Sequence, residues 1–174
     1  RAFSSMPVLA SGVALQIRNG EIKKFLIQPV DLAGFLLLNR VAHKLVYYLI
    51  AVAPFTLVFF LCRGFFDGIA TDPNTWAIYV LSLIMGFLIG FFLEFSIGLI
   101  GFWFLEVSSL LFVYMVLSPL KYLEYFPAAV ILQKVTGDEL MWGIWIEVAW
   151  LAFFIVLSRV MLHFGIKRYS GYGG

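Results

Sequence analysis

From Trp76 to Leu117 the chain runs for forty-two residues with only two charged side chains, Glu94 and Glu106. As one straight helix, at about 1.5 Å per residue, that stretch would be roughly 63 Å long, twice the hydrocarbon core of a bilayer. It therefore predicts two membrane crossings, with a turn near Gly98–Glu106 where Gly98, Gly101 and the second acid interrupt the apolar pattern. A second uncharged run, Leu45–Cys62, has eighteen residues and would span about 27 Å as a helix. A soluble fold cannot hide so much apolar side chain. The 174 residues are 63% hydrophobic and 13% charged, against roughly 45–50% and about 25% in a soluble domain. The apolar residues form continuous blocks rather than a period-two alternation, so helices are expected and not a barrel. The fold class is an all-α polytopic membrane protein.

Read as a single membrane domain over 1–174, the chain divides as follows. Residues 1–16 are the end of an upstream membrane helix or a surface segment. Membrane helices are expected at 36–62, 76–98, 106–118 and 141–163, with a polar loop over Arg63–Thr75. Pro54 should kink the first of them and leave the carbonyl of Ile50 without its usual donor. Residues 119–139 mix Lys121, Glu124, Pro127, Lys134, Asp138 and Glu139 with aromatics, which suits an external re-entrant or interfacial element. Residues 164–174 form a basic tail. Val107–Leu117 is short for a return crossing, so additional chain is expected around Ser118 and Pro119. More is also expected ahead of Arg1, and an intact mass above 19.7 kDa would show it.

Lysine and arginine in short loops set orientation. With the first polar stretch in the cytoplasm, eight basic residues lie inside: Arg18, Lys23, Lys24, Arg40, Lys44, Arg159, Lys167 and Arg168. Only Arg63, Lys121 and Lys134 lie outside. The tail is then cytoplasmic.

That polar stretch, Ile17–Asp31, is the one substantial turn-rich segment ahead of the strongly apolar runs. Ile22, Phe25 and Leu26 fall on one helical face, while Lys23 and Lys24 lie off it. Gly20 and Pro29 punctuate its ends, and Glu21, Lys23 and Lys24 form a polar rim. A short amphipathic helix of this kind lies on a membrane surface or docks into a partner's groove.

Other residues carry a choice between function and packing. Gly86, Gly90, Glu94 and Gly98 recur every four residues; small residues so spaced let helices approach closely, and the acid among them marks a helix interface or a translocation path. Glu106 is the second acid of that run. Glu147, between Trp145 and Trp150, lies within the last crossing. It could contact a cationic substrate, partner a basic group of another subunit, or snorkel to the outer interface. Trp142 and Trp145, with Tyr122, Tyr125 and Phe126, suit an aromatic belt. Cys62 is the sole cysteine, His43 and His163 have no companion at metal-ligand spacing, and no G-x-x-x-x-G-K-[ST] phosphate loop occurs. No catalytic residues and no metal site are expected.

Two motifs carry a family resemblance: Ile17-Arg18-Asn19-Gly20-Glu21-Ile22 followed by Phe25-Leu26-Ile27-Gln28-Pro29-Val30, and the tail Gly165-Ile166-Lys167-Arg168-Tyr169-Ser170-Gly171-Tyr172-Gly173-Gly174. Phe102-Trp103 before a turn, and Tyr125-Phe126-Pro127 ahead of the last span, belong with them. In this order they resemble the permease subunits of ABC-2 type transporters, over nearly the whole chain. The resemblance implies a permease of the type V exporter kind with about six crossings, four or more of them here, a cytoplasmic coupling helix and an external re-entrant element. It also implies a second permease subunit, identical or sister, and a pair of ATP-binding subunits that hold the ATP and Mg. The chain itself would bind no cofactor. The coupling interface would use Gly20, Glu21, Ile22, Lys24, Phe25, Leu26 and Pro29. The family's usual activity is export of amphiphilic or hydrophobic molecules across the bacterial inner membrane. Two alternatives stand beside it: a membrane scaffold or assembly subunit of the same fold, and an ion-coupled transporter using Glu94, Glu106 and Glu147.

Overall fold

The computed structural model describes residues 7–27, 30–61, 64, 72–103 and 125–168, with the side chains of Pro7, Val8 and Leu26 excepted. The described residues are helical throughout: α1 (Pro7–Arg18), α2 (Lys23–Ile27), α3 (Leu32–Leu61), α4 (Pro73–Leu99), α5 (Phe126–Ile131) and α6 (Asp138–Arg168). A 3-10 turn, Ile100–Phe102, extends α4. The expected crossing at 106–118, the junction at Ser118 and Pro119, Glu106, Pro29 and the Tyr169–Gly174 part of the tail lie outside the described residues.

Among the described residues three helices are long and apolar enough to cross a membrane: Leu32–Leu61, Pro73–Phe102 and Asp138–Arg168. They overlap the stretches 36–62, 76–98 and 141–163; the first begins four residues earlier and is described to Leu61, and the other two extend beyond their stretches at both ends. Helical hydrogen bonding costs nothing extra in the headgroup region, so the apolar run sets where lipid begins, not where the helix ends. α3 continues through Pro54 without interruption. In lipid a helix tolerates proline because unwinding would expose still more backbone polar groups. Two residues beyond it the Thr56 hydroxyl donates to the Val52 carbonyl at 2.7 Å.

α4 is the hub. It packs against α6 along most of its length, against α1 near its C-terminal end and against α5 near its start. Small residues permit this. A Cβ on Gly98 would sit 2.9 Å from Val13 Cβ and 3.0 Å from the Ala10 carbonyl oxygen, so only glycine lets α1 lie against α4 there. Gly101 meets Ala14 in the same way, one turn on. Leu9, Ala10, Val13 and Ile17 are therefore buried along one face of α1. At twelve residues, about 18 Å, α1 is too short to cross a bilayer by itself.

The contacts place the element ends. Gly98 meets α1, Phe102 lies over Gly165 near the end of α6, and Arg159 reaches the start of α3. These share one end of the bundle with Arg18, Lys23, Lys24, Lys167 and Arg168, hereafter the basic end. At the opposite end the Phe126 ring covers Gly143, where a Cβ would come within 2.1 Å of it. α5 closes there with a Schellman turn: Gln133 takes a positive φ of 52°, its amide donates to Val130, and the Lys134 amide donates to Ala129.

Candidate functional site

The polar segment between α1 and α3 is folded onto its own chain. Gly20 adopts a φ of 76° and ends α1, its amide donating to the Ile17 carbonyl at 3.2 Å. The Ile22 amide then returns to the Gln16 carbonyl at 3.3 Å, which turns the chain sharply and drives the Ile22 side chain inward. Ile22 is only 1% exposed and joins the cluster formed by Leu9, Val13, Ile17, Leu32, Ala33 and Leu36. Phe25 is half-buried and meets the Phe35 ring at 5.4 Å. The five-residue α2 is thus a single turn held from beneath. Its outward face consists of Glu21, Lys23, Lys24 and Ile27, and Ile27 is 84% exposed.

Asp31 fixes the exit from this segment. Its Oδ2 accepts from the Gly34 amide at 2.9 Å, capping α3, and its carboxylate pairs with both terminal nitrogens of Arg159 on α6. The Arg159 hydrogen bond holds the Asp31 carboxyl below its ordinary value of 3.8, with the Gly34 amide acting in the same direction. An aspartate just before an apolar run is a legible N-cap. A partner 128 residues away is not.

The membrane acids sit deeper. Glu147 is fully buried and does not snorkel: its Oε1 accepts a 2.9 Å hydrogen bond from the Ser82 hydroxyl of α4. Both residues are buried within the α4–α6 contact, about 13 Å from the outer starts of their helices. Glu94 is also fully buried, on α4 towards the basic end, and interacts electrostatically with Lys44 of α3. Glu147 lies level with Ser82, and Glu94 is twelve residues further along α4, about 18 Å away, so the two acids stand apart. Gly86 and Gly90 are buried on α4 with Gly98. Nothing in the sequence pattern singles out Ser82 or Gly143; each matters through a neighbour distant in the chain.

A bundle of apolar helices around a glycine-bearing hub, with a folded polar segment at its basic end, defines a multi-pass membrane protein of the permease kind. The chain matches the family described as ABC-2 family transporter protein over residues 6–118 and 109–173, and it belongs to that family. The two matched stretches overlap at 109–118, next to the junction where length alone left the return crossing short. Membership makes the chain a transport subunit of a membrane complex that works with ATP-binding subunits. Neither a curated protein nor a solved structure matches it.

Proposed function

We propose that this chain is the permease subunit of an ATP-driven ABC-2 exporter of amphiphilic or hydrophobic molecules, and that the segment from Gly20 to Asp31 is its coupling element. The observation that carries this is the build of that segment. One side is locked to the chain's own core through Ile22 and Phe25, and the other presents Glu21, Lys23, Lys24 and Ile27 to whatever lies beyond the basic end. A contact that transmits force needs this division, because a loose loop would absorb the movement of its partner. The segment leads directly into α3, and the Asp31–Arg159 pair ties the same point to α6.

In this mechanism ATP binding draws together two ATP-binding subunits docked on the coupling elements. Movement passes from α2 through Asp31 into α3, the spanning helix with the least contact to its neighbours. α3 then swings against the fixed α4–α6 pair and changes the opening between them. The basic end faces the cytoplasm of a bacterial inner membrane, as its lysines and arginines favour, and a second permease subunit completes the pathway. Ile22 and Phe25 support the coupling surface from beneath, whereas Lys24 and Ile27 contact the partner.

Reconstituted complexes test this. Ile27→Asp changes a residue that is 84% exposed, so the protein should insert normally while transport falls and ATP hydrolysis continues. Full transport by that variant, or purification from native membranes without a stoichiometric ATP-binding subunit, would overturn the proposal. Transport without any ATPase, lost on substituting Glu94 or Glu147, would instead support an ion-coupled carrier.

A further inference from the structure

At the basic end a cavity of about 210 Å³ separates α1 from α3. Its floor is apolar: Leu9, Val13 and Leu36 belong to the buried cluster that also holds Ile22. Its rim is polar, with Gln16 on α1 and Asn39, Arg40 and His43 on α3. On each helix the lining residues follow at steps of three, one and three, so each helix contributes a single face. Gly12 keeps the space open, because a Cβ there would have no atom within 4 Å.

Every polar side chain on this rim can donate a hydrogen bond, and no carboxylate lines the cavity among the described residues. Arg40 is half-buried and permanently charged. None of the four polar side chains makes a hydrogen bond or ion pair with another described residue. The nearby acids are engaged elsewhere: Asp31 pairs with Arg159, and Glu94 acts on Lys44. Such a rim calls for an anionic acceptor. A carboxylate holds its oxygens in one plane, whereas the tetrahedral oxygens of a phosphate reach both walls at once, Gln16 on one side and the Arg40 fork on the other. The depth agrees. The uncharged run of α3 begins at Leu45, five residues after Arg40. That is about 7.5 Å along the helix, close to the thickness of the polar layer over the hydrocarbon core.

We infer that the α1–α3 cavity is a binding site for a phosphate group, carried by a phospholipid headgroup or free in solution, with Gln16 and Arg40 holding it from the two helices and Asn39 and His43 closing the rim. Zwitterionic and anionic phospholipids offer the same group, so the net charge of the headgroup should matter little. α1 leads into the turn at Gly20 and α3 follows the polar segment, so a phosphate held between them braces both ends of that segment above the Ile22 cluster. The site needs no ATP-binding subunit and stands whether or not the segment couples to one.

Thermal unfolding of the full chain in a maltoside detergent tests this, with inorganic phosphate, dioctanoylphosphatidylcholine, dioctanoylphosphatidylglycerol and phosphate-free dioctanoylglycerol as probes. A ligand of the folded chain raises the midpoint with its concentration. A rise with both phospholipids assigns the phosphate to a lipid headgroup, and a rise with inorganic phosphate alone assigns it to the free ion; dioctanoylglycerol should give none. Arg40→Gln should weaken the apparent affinity about tenfold, the weight of one hydrogen bond to a charged group. Gly12→Leu, which fills the cavity without altering a polar group, should remove the response. Lys167→Gln, elsewhere on the basic end, should respond like the unaltered chain. An equal rise with dioctanoylglycerol, a rise confined to one of the two phospholipids, no rise with any phosphate compound, or a response that survives Arg40→Gln and Gly12→Leu would each overturn the inference. Gel filtration and the midpoint without added probe separate loss of the site from loss of the fold, and Gln16→Leu, which removes the α1 donor, repeats the test where either variant fails to fold.

Discussion

α3 and α4 are both apolar helices long enough to cross a bilayer, yet one is the hub of the bundle and the other barely touches it. α4 buries Ser82, Met85, Gly86, Ile89, Gly90, Phe91, Phe92, Glu94, Phe95, Ser96, Gly98 and Leu99. α3, three residues longer, buries only Leu32, Ala33, Leu36 and Ala51. Hydrophobicity does not separate them, because in lipid an aliphatic surface has no drive to leave its surroundings. What separates them is small and polar side chains. Glycine and serine on α4 bring other backbones close and give Glu147 a hydrogen bond, whereas the outer length of α3 offers leucine, valine and phenylalanine to lipid. Among the described residues the burial on α3 is concentrated in its first turns, where the polar segment joins it.

The largest effect should come from Gly98→Leu. Its Cβ would meet Val13 and the Ala10 carbonyl at about 3 Å, contacts made partly by backbone that cannot rotate away, and thermal unfolding in detergent should show a loss of roughly 3 kcal/mol. Ala53→Leu on the exposed face of α3 should leave the midpoint unchanged. Next, Phe95→Ala empties a site where the ring stacks on Phe91 at 6.0 Å. The loss should be on the order of 2 kcal/mol, less than in a water-soluble core, because lipid replaces water as the alternative surroundings. Phe60→Ala, facing lipid, should cost close to nothing. A large effect at Phe60 or Ala53 would mean that a protein partner covers α3.

Ser82→Ala should cost about 0.6–1 kcal/mol, the range for a hydrogen bond between membrane helices. If the α4–α6 contact stays closed through the proposed cycle, its effect should fall on stability rather than on ATP-coupled transport. Smallest is the Asp31–Arg159 pair, half-exposed and therefore worth at most about 1 kcal/mol. Asp31 is held below 3.8 in the folded chain. Its contribution is fully present above that value and disappears as pH falls through the lower folded value. A pH titration of the unfolding midpoint should thus show no loss from this pair between neutral pH and about 4. Asp31→Asn should remove the acid-dependent part.

The crossings were legible because desolvation of charge is costly enough to write itself into the sequence as long uncharged runs. Gly86, Gly90, Glu94 and Gly98 recur every four residues on α4, and of the glycines Gly98 meets the α1 backbone. The polar segment was legible as an element but not as a surface: periodicity put Ile22 and Phe25 on one apolar face without showing that this face belongs to the chain's own core. The sign was Gly20, whose positive φ turns the chain back, and the consequence was that the exposed apolar residue is Ile27. Ser82 beneath Glu147, Arg159 on Asp31, and the rings over Gly143 and Gly165 are pairings between distant segments. A single sequence carries no local signal for them.

If force enters at the coupling segment and leaves through a helix anchored at one end, α3 must move against α4 while α6 does not. After replacement of Cys62, spin labels at Val58 on α3 and Val80 on α4 report the first distance, and labels at Val80 and Val148 on α6 report the second. All three positions are exposed. Adding ATP to the reconstituted complex should shift the Val58–Val80 distribution and leave Val80–Val148 fixed, and Ile27→Asp should abolish the shift. A Val58–Val80 distance unchanged by ATP in a complex that hydrolyses it and transports would contradict the account.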